Sequence, residues 1–170
     1  MRIFPRQRGF TLLEVLISIL VFSIGLLGVA GLMVLSVRTN HSAFLRTQAS
    51  FLAESMAERM RTNLGWIDQY NGTYDTSTDV ATPPTNCRAS ACTPTQLAGY
   101  DLWAWNQQLV EHLPAPTAVI NCDNLPPNPG YAGSQPYGGL CRMTITWTEA
   151  DLSRTGGTPA TQTFAWVFQP

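Results

Sequence analysis

The chain has 170 residues, with ten basic and eleven acidic side chains and a formal net charge of −1. The basic residues are all arginines scattered along the chain without a basic stripe, which argues against a nucleic-acid-binding protein. A chain of this length suits one small globular unit with a modest core, in addition to any membrane segment.

The chain begins with a short basic leader followed by an apolar run. Three arginines and no acidic residue precede Gly9, namely Arg2, Arg6 and Arg8. Residues 15–37 are all uncharged, and at about 1.5 Å per residue they are long enough to cross a hydrocarbon core of roughly 30 Å as a helix. Because positive charge favours the cytoplasmic side, we predict a single span with the rest of the chain outside the cytoplasm.

A seven-residue stretch at the leader boundary has the features of a processing signal. The segment Arg8-Gly9-Phe10-Thr11-Leu12-Leu13-Glu14 resembles the class III signal of type IV prepilins, in which cleavage after a glycine exposes an aromatic residue that a glutamate follows four positions later. The resemblance implies that prepilin peptidase cleaves between Gly9 and Phe10 and methylates the new Phe10 amine. The alternative is an uncleaved signal anchor in which Gly9 is only a flexible residue.

Glu14 is a carboxylate at the edge of an apolar span. A charged side chain at the centre of a bilayer costs about 2.5–3.5 kcal/mol, and less near an edge, so Glu14 needs a compensating partner. In the pilin family this glutamate neutralises the N-terminal amine of a neighbouring subunit, which makes Glu14 the predicted assembly and register residue. The alternative is that Glu14 only caps its own helix.

Beyond Arg38 the apolar pattern becomes amphipathic, which predicts that the helix continues out of the span. No Pro or Gly occurs from Leu32 to Leu64, and Gly65 is a stop signal, so we predict one helix from about Phe10 to Asn63. The predicted apolar face comprises Leu45, Ala49, Phe51, Leu52, Met56 and Met60. The predicted organisation is a leader at 1–9, a transmembrane and assembly helix at 10–37, its amphipathic continuation at 38–64 and a periplasmic globular domain at 65–170.

All four cysteines lie in the predicted extracytoplasmic domain, where an even count indicates disulfides. They are Cys87, Cys92, Cys122 and Cys141. Three pairings are possible. We favour the one that joins Cys87 to Cys92 through a short loop and Cys122 to Cys141 between a Pro-rich connection and a strand. Zinc binding is the competing interpretation, but no second close cysteine pair and no paired histidine supports it.

The patterns in the remaining chain predict one helix and a small antiparallel sheet. A capping box at Thr93 to Gln96 with Pro94 at the first helical position predicts a helix that ends near His112, with Trp105 in the core. Alternating apolar residues predict a hairpin of strands at 141–148 and 164–168, with a further strand near 117–121 and an exposed turn at 149–159. Residues 123–139 are predicted to form a loop in which Tyr131 and Tyr137 contact a neighbouring subunit or a ligand, or are simply solvated. The fold class is therefore α+β, with the long helix packed on the sheet.

The resemblance extends over the first fifty-odd residues and, more narrowly, to minor pilins of the PilV type. The narrower match involves Ala53 to Asn63 and the Tyr100-Asp101-Leu102 segment with Trp105. It implies a minor pilin that works with other minor pilins, the major pilin and an inner-membrane assembly platform, and that supports pilus assembly, twitching motility and adhesion. Before assembly it resides in the inner membrane, and afterwards in the fibre or its tip.

Two other functions are compatible with parts of the sequence. A pseudopilin of a type II secretion system shares the leader and the helix, although pseudopilins of this kind often lack disulfide pairs. An anchored periplasmic enzyme would need a catalytic constellation. His41 and His112 lie in no GxSxG or HExxH context, so we predict no enzyme activity and no cofactor.

Overall fold

A computed structural model of the protein describes residues 9–77, 85–123, 138–149 and 159–170. The described residues divide into two compact units, the first ending at His41 and the second beginning at Ser42. The elements are α1 (Leu12–Thr62), a 3-10 helix (Leu64–Tyr70), β1 (Gly72–Asp75), α2 (Pro94–His112), β2 (Thr117–Cys122), β3 (Cys141–Glu149) and β4 (Ala160–Phe168). The predicted α+β class is confirmed.

The first unit contains the apolar half of α1. Every described side chain from Phe10 to Asn40 is exposed. The hydroxyls of Ser18 and Ser23 donate to the carbonyls of Glu14 and Ile19, each at 2.7 Å, so these polar groups are satisfied within the helix. Among the described helices, α1 alone is long and apolar enough to be a candidate membrane span.

The second unit is built on a four-stranded antiparallel sheet with the strand order β1-β2-β3-β4. The predicted C-terminal hairpin is confirmed, and its register runs from Cys141 opposite Phe168 to Glu149 opposite Ala160. In β2 and β3 buried side chains alternate with more exposed ones, because successive residues point to opposite faces of the sheet. One face of the sheet is therefore apolar and available to the helices.

The second half of α1 covers this apolar face. Its buried side chains are Leu45, Ala49, Leu52, Ala53, Met56, Ala57 and Met60, and they join the strand residues in one core. The prediction was wrong for Phe51, which is 63% exposed. At about 100° per residue, Phe51 lies on the far side of the helix from Ala49, Leu52 and Met56.

The helix α2 begins and ends as the sequence predicts. The Thr93 hydroxyl accepts from the Gln96 N–H, and the Gln96 side chain accepts from the Thr93 N–H at 2.9 Å, which completes a capping box. Pro114 and Pro116 follow the last helical turn. Trp105 is fully buried, which confirms its predicted place in the core.

Two short elements were not predicted from the sequence. The chain leaves α1 at Asn63 and turns through the 3-10 helix, and the four-residue β1 then pairs with β2. Several predictions lie outside the described residues. They concern the arginines of the leader, Tyr131 and Tyr137 in the Pro-rich loop, and most of the turn between β3 and β4.

Candidate functional site

The start of α1 is capped by the second residue after the predicted cleavage point. Thr11 is the N-cap, since its hydroxyl accepts a hydrogen bond from the Glu14 N–H at 3.3 Å and its carbonyl accepts from the same N–H at 3.1 Å. A threonine N-cap satisfies donors that the first helical turn leaves without an intrahelical partner. Gly9 and Phe10 precede the helix, and both are exposed.

Glu14 lies in the first turn of α1, with its side chain exposed. The helix dipole favours a negative charge at this end. Within the described part of the chain no cation forms an ion pair with the Glu14 carboxylate, and the hydroxyl of Thr11 already provides the cap. Glu14 therefore places a carboxylate at the edge of an apolar helix segment. A positively charged group from another molecule would pair favourably with it.

The apolar half of α1 presents large hydrophobic side chains in every direction. Phe10 is 81% exposed and Leu12 is 89% exposed, and similar residues continue to Val37. A helix that is apolar all round is stable only when lipid or other helices cover it. This part of the protein thus requires a membrane or a helical assembly as its environment.

A buried polar cluster joins the end of α1 to α2. Arg59 donates from Nη1 to Asp101 Oδ1 at 3.0 Å, and the Tyr70 hydroxyl donates to Asp101 Oδ2, also at 3.0 Å. Asn63 donates from Nδ2 to the Pro94 carbonyl at 2.8 Å and to the Tyr70 hydroxyl at 3.2 Å. Both carboxylate oxygens of Asp101 are therefore satisfied, as a buried charge requires.

Burial around this cluster also affects two tyrosines. Desolvation is the main reason that the pKa of Tyr70 lies well above its ordinary value, and the negative charge of Asp101 raises it further. Burial raises the pKa of Tyr74 to about 12. Both phenols are consequently neutral in the folded protein at physiological pH, and Tyr70 acts as a hydrogen-bond donor.

Trp105 provides a second connection between the two helices. Its Nε1 donates to the Leu52 carbonyl of α1 at 2.8 Å, and its ring packs edge-on against Tyr74 with 6.0 Å between the ring centroids. The segments that carry the narrower sequence resemblance, around Arg59 and around Asp101, are therefore in direct contact.

Both disulfides are formed within the second unit. Cys87 pairs with Cys92 beside the start of α2, and Cys122 pairs with Cys141 across β2 and β3. This is the pairing that the sequence favoured. The second disulfide is almost completely buried, with Cys122 3% exposed and Cys141 fully buried. The four sulfurs are consumed by these bonds and are not arranged as metal ligands.

The predicted site residues remain in separate parts of the structure. Gly9, Phe10 and Glu14 lie in the first unit, and the cysteines lie in the second. Sequence reasoning did not predict the Arg59–Asp101 pair. The two side chains are 42 positions apart, and only their opposite charges in the two family-like segments hint at a contact.

Comparison with protein families identifies two similar segments. Residues 4–30 match the prokaryotic N-terminal methylation motif, and residues 31–103 match the model for type IV pilin Tt1218. The first segment contains Gly9, Phe10 and Glu14. The second contains the latter part of α1, the first half of α2 and the polar cluster between them. Neither the curated proteins nor the solved structures gave a match.

Proposed function

We propose that this chain, a type IV pilin-like protein, is a minor pilin of the PilV type that prepilin peptidase cleaves between Gly9 and Phe10. The observation that carries the proposal is the junction itself. An exposed Gly-Phe pair directly precedes a capped helix whose first turn holds Glu14 and whose following residues are apolar. Methylation of the new Phe10 amine completes the processing.

Before assembly, the apolar half of α1 anchors the processed protein in the inner membrane, and the second unit lies in the periplasm. The protein then joins other minor pilins on the inner-membrane assembly platform, where major pilin is added. Burial of apolar helix surface, at roughly 25 cal/mol per Å², drives subunit association as the helices leave the bilayer. Assembly ATPases elsewhere in the machine supply the work.

Glu14 sets the register of this association. The carboxylate of one subunit pairs with the Phe10 ammonium of a neighbour, so that two charges that are unfavourable alone in an apolar medium neutralise each other. Thr11 supports this role because it supplies the helix cap with its own hydroxyl and carbonyl. As part of the fibre or its tip, the protein supports twitching motility and adhesion.

The proposal is tested by deleting the gene in the native cells, counting surface pili and assaying type II secretion. If the protein is a minor pilin, the deletion should reduce the number of pili and weaken twitching while secretion stays unchanged. The intact gene should restore piliation and twitching. Lost secretion with normal piliation would instead identify a type II secretion pseudopilin. The two buried or half-buried disulfides favour the pilus, because pseudopilins of this kind often lack them.

A further inference from the structure

The dipeptide Asn71-Gly72 lies where the 3-10 helix passes into β1. An asparagine followed by glycine is chemically labile, because glycine has no side chain to hinder attack of its backbone nitrogen on the asparagine side chain. The sequence contains no other Asn-Gly pair. The pair belongs neither to the processing signal nor to the polar cluster, and it is a candidate site of covalent modification.

The side chain of Asn71 takes the place of a strand beside the end of β2. Its Oδ1 accepts a hydrogen bond from the Cys122 N–H at 2.7 Å. The register places Gly72 opposite Ile120, so Cys122 would next face Tyr70, whose backbone belongs to the 3-10 helix and not to β1. The Asn71 side chain therefore satisfies a backbone donor that the strand itself does not reach.

The space beside Gly72 excludes a larger residue. A Cβ at this position would lie 2.9 Å from the Tyr74 hydroxyl oxygen, which is closer than non-bonded atoms approach each other. That hydroxyl is buried and donates to the Tyr70 carbonyl at 2.9 Å, so it cannot move aside without losing this bond. The fold thus requires both halves of the reactive pair, the asparagine as an acceptor and the glycine for its small size.

Deamidation at this pair proceeds through a cyclic intermediate. The Gly72 nitrogen loses its proton to solvent and attacks the Asn71 Cγ. The new C–N bond closes a succinimide ring, and the bond from Cγ to Nδ2 breaks, so that the side-chain nitrogen takes up a proton and leaves as ammonia. Water then opens the ring at either carbonyl, which gives aspartate or isoaspartate. Water is the only co-reactant.

Three features of the fold oppose ring closure. Asn71 has φ −67° and ψ 133°, an extended conformation that turns the Gly72 nitrogen away from the Asn71 side chain. The hydrogen bond from the Cys122 N–H fixes that side chain. Because Cys122 directs its backbone N–H towards β1, Ile120 does the same by alternation and pairs with the backbone of Gly72. Attack therefore requires the adjoining ends of β1 and β2 to open.

The Cys122–Cys141 disulfide restrains this opening. Cys122 is the last residue of β2 and Cys141 is the first of β3, so the bond holds the strand end to which the Asn71 side chain is attached. Chain segments at the ends of elements open locally more easily than those at their centres. The other disulfide, Cys87–Cys92, lies beside the start of α2 and crosslinks neither strand.

We propose that Asn71 is a deamidation site that the oxidised fold keeps latent and that loss of the Cys122–Cys141 disulfide releases. Aspartate at this position keeps an oxygen for the Cys122 N–H and makes the hydrogen bond charge-assisted. Isoaspartate adds a methylene to the main chain and shifts β1 against β2, so the sheet cannot close again in the same register. The modification is an irreversible record that the disulfide was lost. The inference goes beyond the proposed pilin function and does not depend on it.

The test incubates the full chain, solubilised in detergent, in a mildly alkaline buffer made with oxygen-18 water. The unaltered protein is compared with the double variant Cys122→Ala/Cys141→Ala and, as the matched control, with Cys87→Ala/Cys92→Ala. Mass spectrometry of the peptide that contains Asn71 measures the fraction that has taken up heavy oxygen, which excludes deamidation before the incubation. Electron-based fragmentation distinguishes aspartate from isoaspartate.

We expect the variant without the Cys122–Cys141 disulfide to deamidate at Asn71 about tenfold faster than the control variant, because a less restrained strand end opens more often. The control variant should keep the slow rate of the unaltered protein. Equal rates for the two double variants would overturn the proposal. So would an unaltered folded chain that deamidates as fast as the same chain unfolded in urea with its disulfides intact.

A second measurement tests the local block without any variant. Amide hydrogen exchange of the unaltered protein gives the protection of the Cys122 N–H, which is the donor to Asn71. Because one opening event governs both processes, folding should slow deamidation by the same factor as this protection, within about threefold. A much smaller slowing would refute the block. If the variant without Cys122–Cys141 unfolds, it should reach the rate measured in urea, and a slower rate would refute the release.

Discussion

At the scale of single residues, Thr11 and Glu14 have different roles at the start of α1. Thr11 caps the helix through its side-chain oxygen, at 3.3 Å from the Glu14 nitrogen. The Glu14 carboxylate extends from the same turn and is exposed. Removing the cap should therefore weaken the helix start, whereas removing the carboxylate should act mainly on the interaction with a neighbouring subunit, beside a small loss of dipole stabilisation.

Glu14→Ala is predicted to leave peptidase cleavage intact and to reduce incorporation into fibres severalfold, because the neighbouring Phe10 ammonium loses its counter-charge. Glu14→Asp keeps the charge and should retain part of the incorporation. Thr11→Val keeps the carboxylate and removes the cap, at a cost of about 0.5–2 kcal/mol to the helix start. The measurement is the ratio of processed protein in sheared fibres to that in membranes, and a normal ratio for Glu14→Ala would refute the role of Glu14.

The buried tyrosines predict loss of stability in alkali. In the unfolded chain a tyrosine ionises near its ordinary pKa of about 10, whereas burial raises the pKa of Tyr74 to about 12 and holds that of Tyr70 well above its ordinary value. The folded protein thus retains protons that the unfolded chain has lost. Stability from this source is fully present below about pH 10 and decreases as the pH rises towards the folded-state values.

Tyr70→Phe separates these effects. At about pH 8 the variant should be less stable by about 1–3 kcal/mol, because Asp101 and Asn63 lose a buried hydrogen-bond partner. Between about pH 9 and pH 11 its stability should fall less steeply than that of the unaltered protein, since one shifted phenol is absent. Denaturant unfolding of the full chain in detergent across this range measures both, and identical pH slopes would contradict the account.

At the scale of elements, the contact between α1 and α2 orders the second unit. It combines the Arg59–Asp101 pair with the hydrogen bond from Trp105 to the Leu52 carbonyl. Arg59 is partly exposed, so the ion pair is screened by solvent and contributes less than its geometry suggests. The fully buried Trp105 therefore dominates the stability of this contact.

Trp105→Ala should destabilise the protein by about 3–5 kcal/mol, because it leaves a cavity in the core and removes the ring contact with Tyr74. Trp66, which is 38% exposed, offers a matched control in the 3-10 helix. Trp66→Ala should cost clearly less, of the order of 1 kcal/mol. Denaturant midpoints of the two variants measure the difference, and similar losses would show that Trp105 is not a central core residue.

The two disulfides should differ in their contributions to stability. Cys122 and Cys141 are 19 positions apart and Cys87 and Cys92 are five apart, so loop-closure entropy predicts about 3 kcal/mol for the first and about 2 kcal/mol for the second. Burial between β2 and β3 increases the cost of removing the first. Thermal unfolding of the two double Cys→Ala variants gives the order, and a greater loss for Cys87 and Cys92 would contradict it.

At the scale of the whole molecule, regular patterns in the sequence predicted the larger elements. Continuous apolar and amphipathic segments predicted α1, the capping box predicted α2, and alternation predicted the β3–β4 hairpin. The strand β1 could not be found this way, since its four residues carry no alternation of their own and form a strand through pairing with β2. The prediction assigned Phe51 to the apolar face because it took too wide a range of helix positions as buried, and Phe51 is exposed.

The candidate site also combines residues that are neighbours in the sequence with residues that only folding brings together. Gly9, Phe10 and Glu14 form a contiguous signal, so the sequence alone identifies them, and their roles stay predictions. The cluster of Arg59, Asn63, Tyr70 and Asp101 exists only after the 3-10 helix turns the chain back towards α2. Its contacts depend on tertiary packing, which no spacing rule in one sequence encodes.

The central claim is that this protein is a processed pilus subunit, and the most direct test is mass spectrometry of its N-terminal peptide from sheared surface fibres and from inner membranes. We predict a methylated Phe10 terminus in the fibres. A processed terminus confined to the membranes would contradict fibre incorporation and favour a secretion pseudopilin. An intact Met1 terminus in both fractions would contradict the processing at Gly9 on which the account depends.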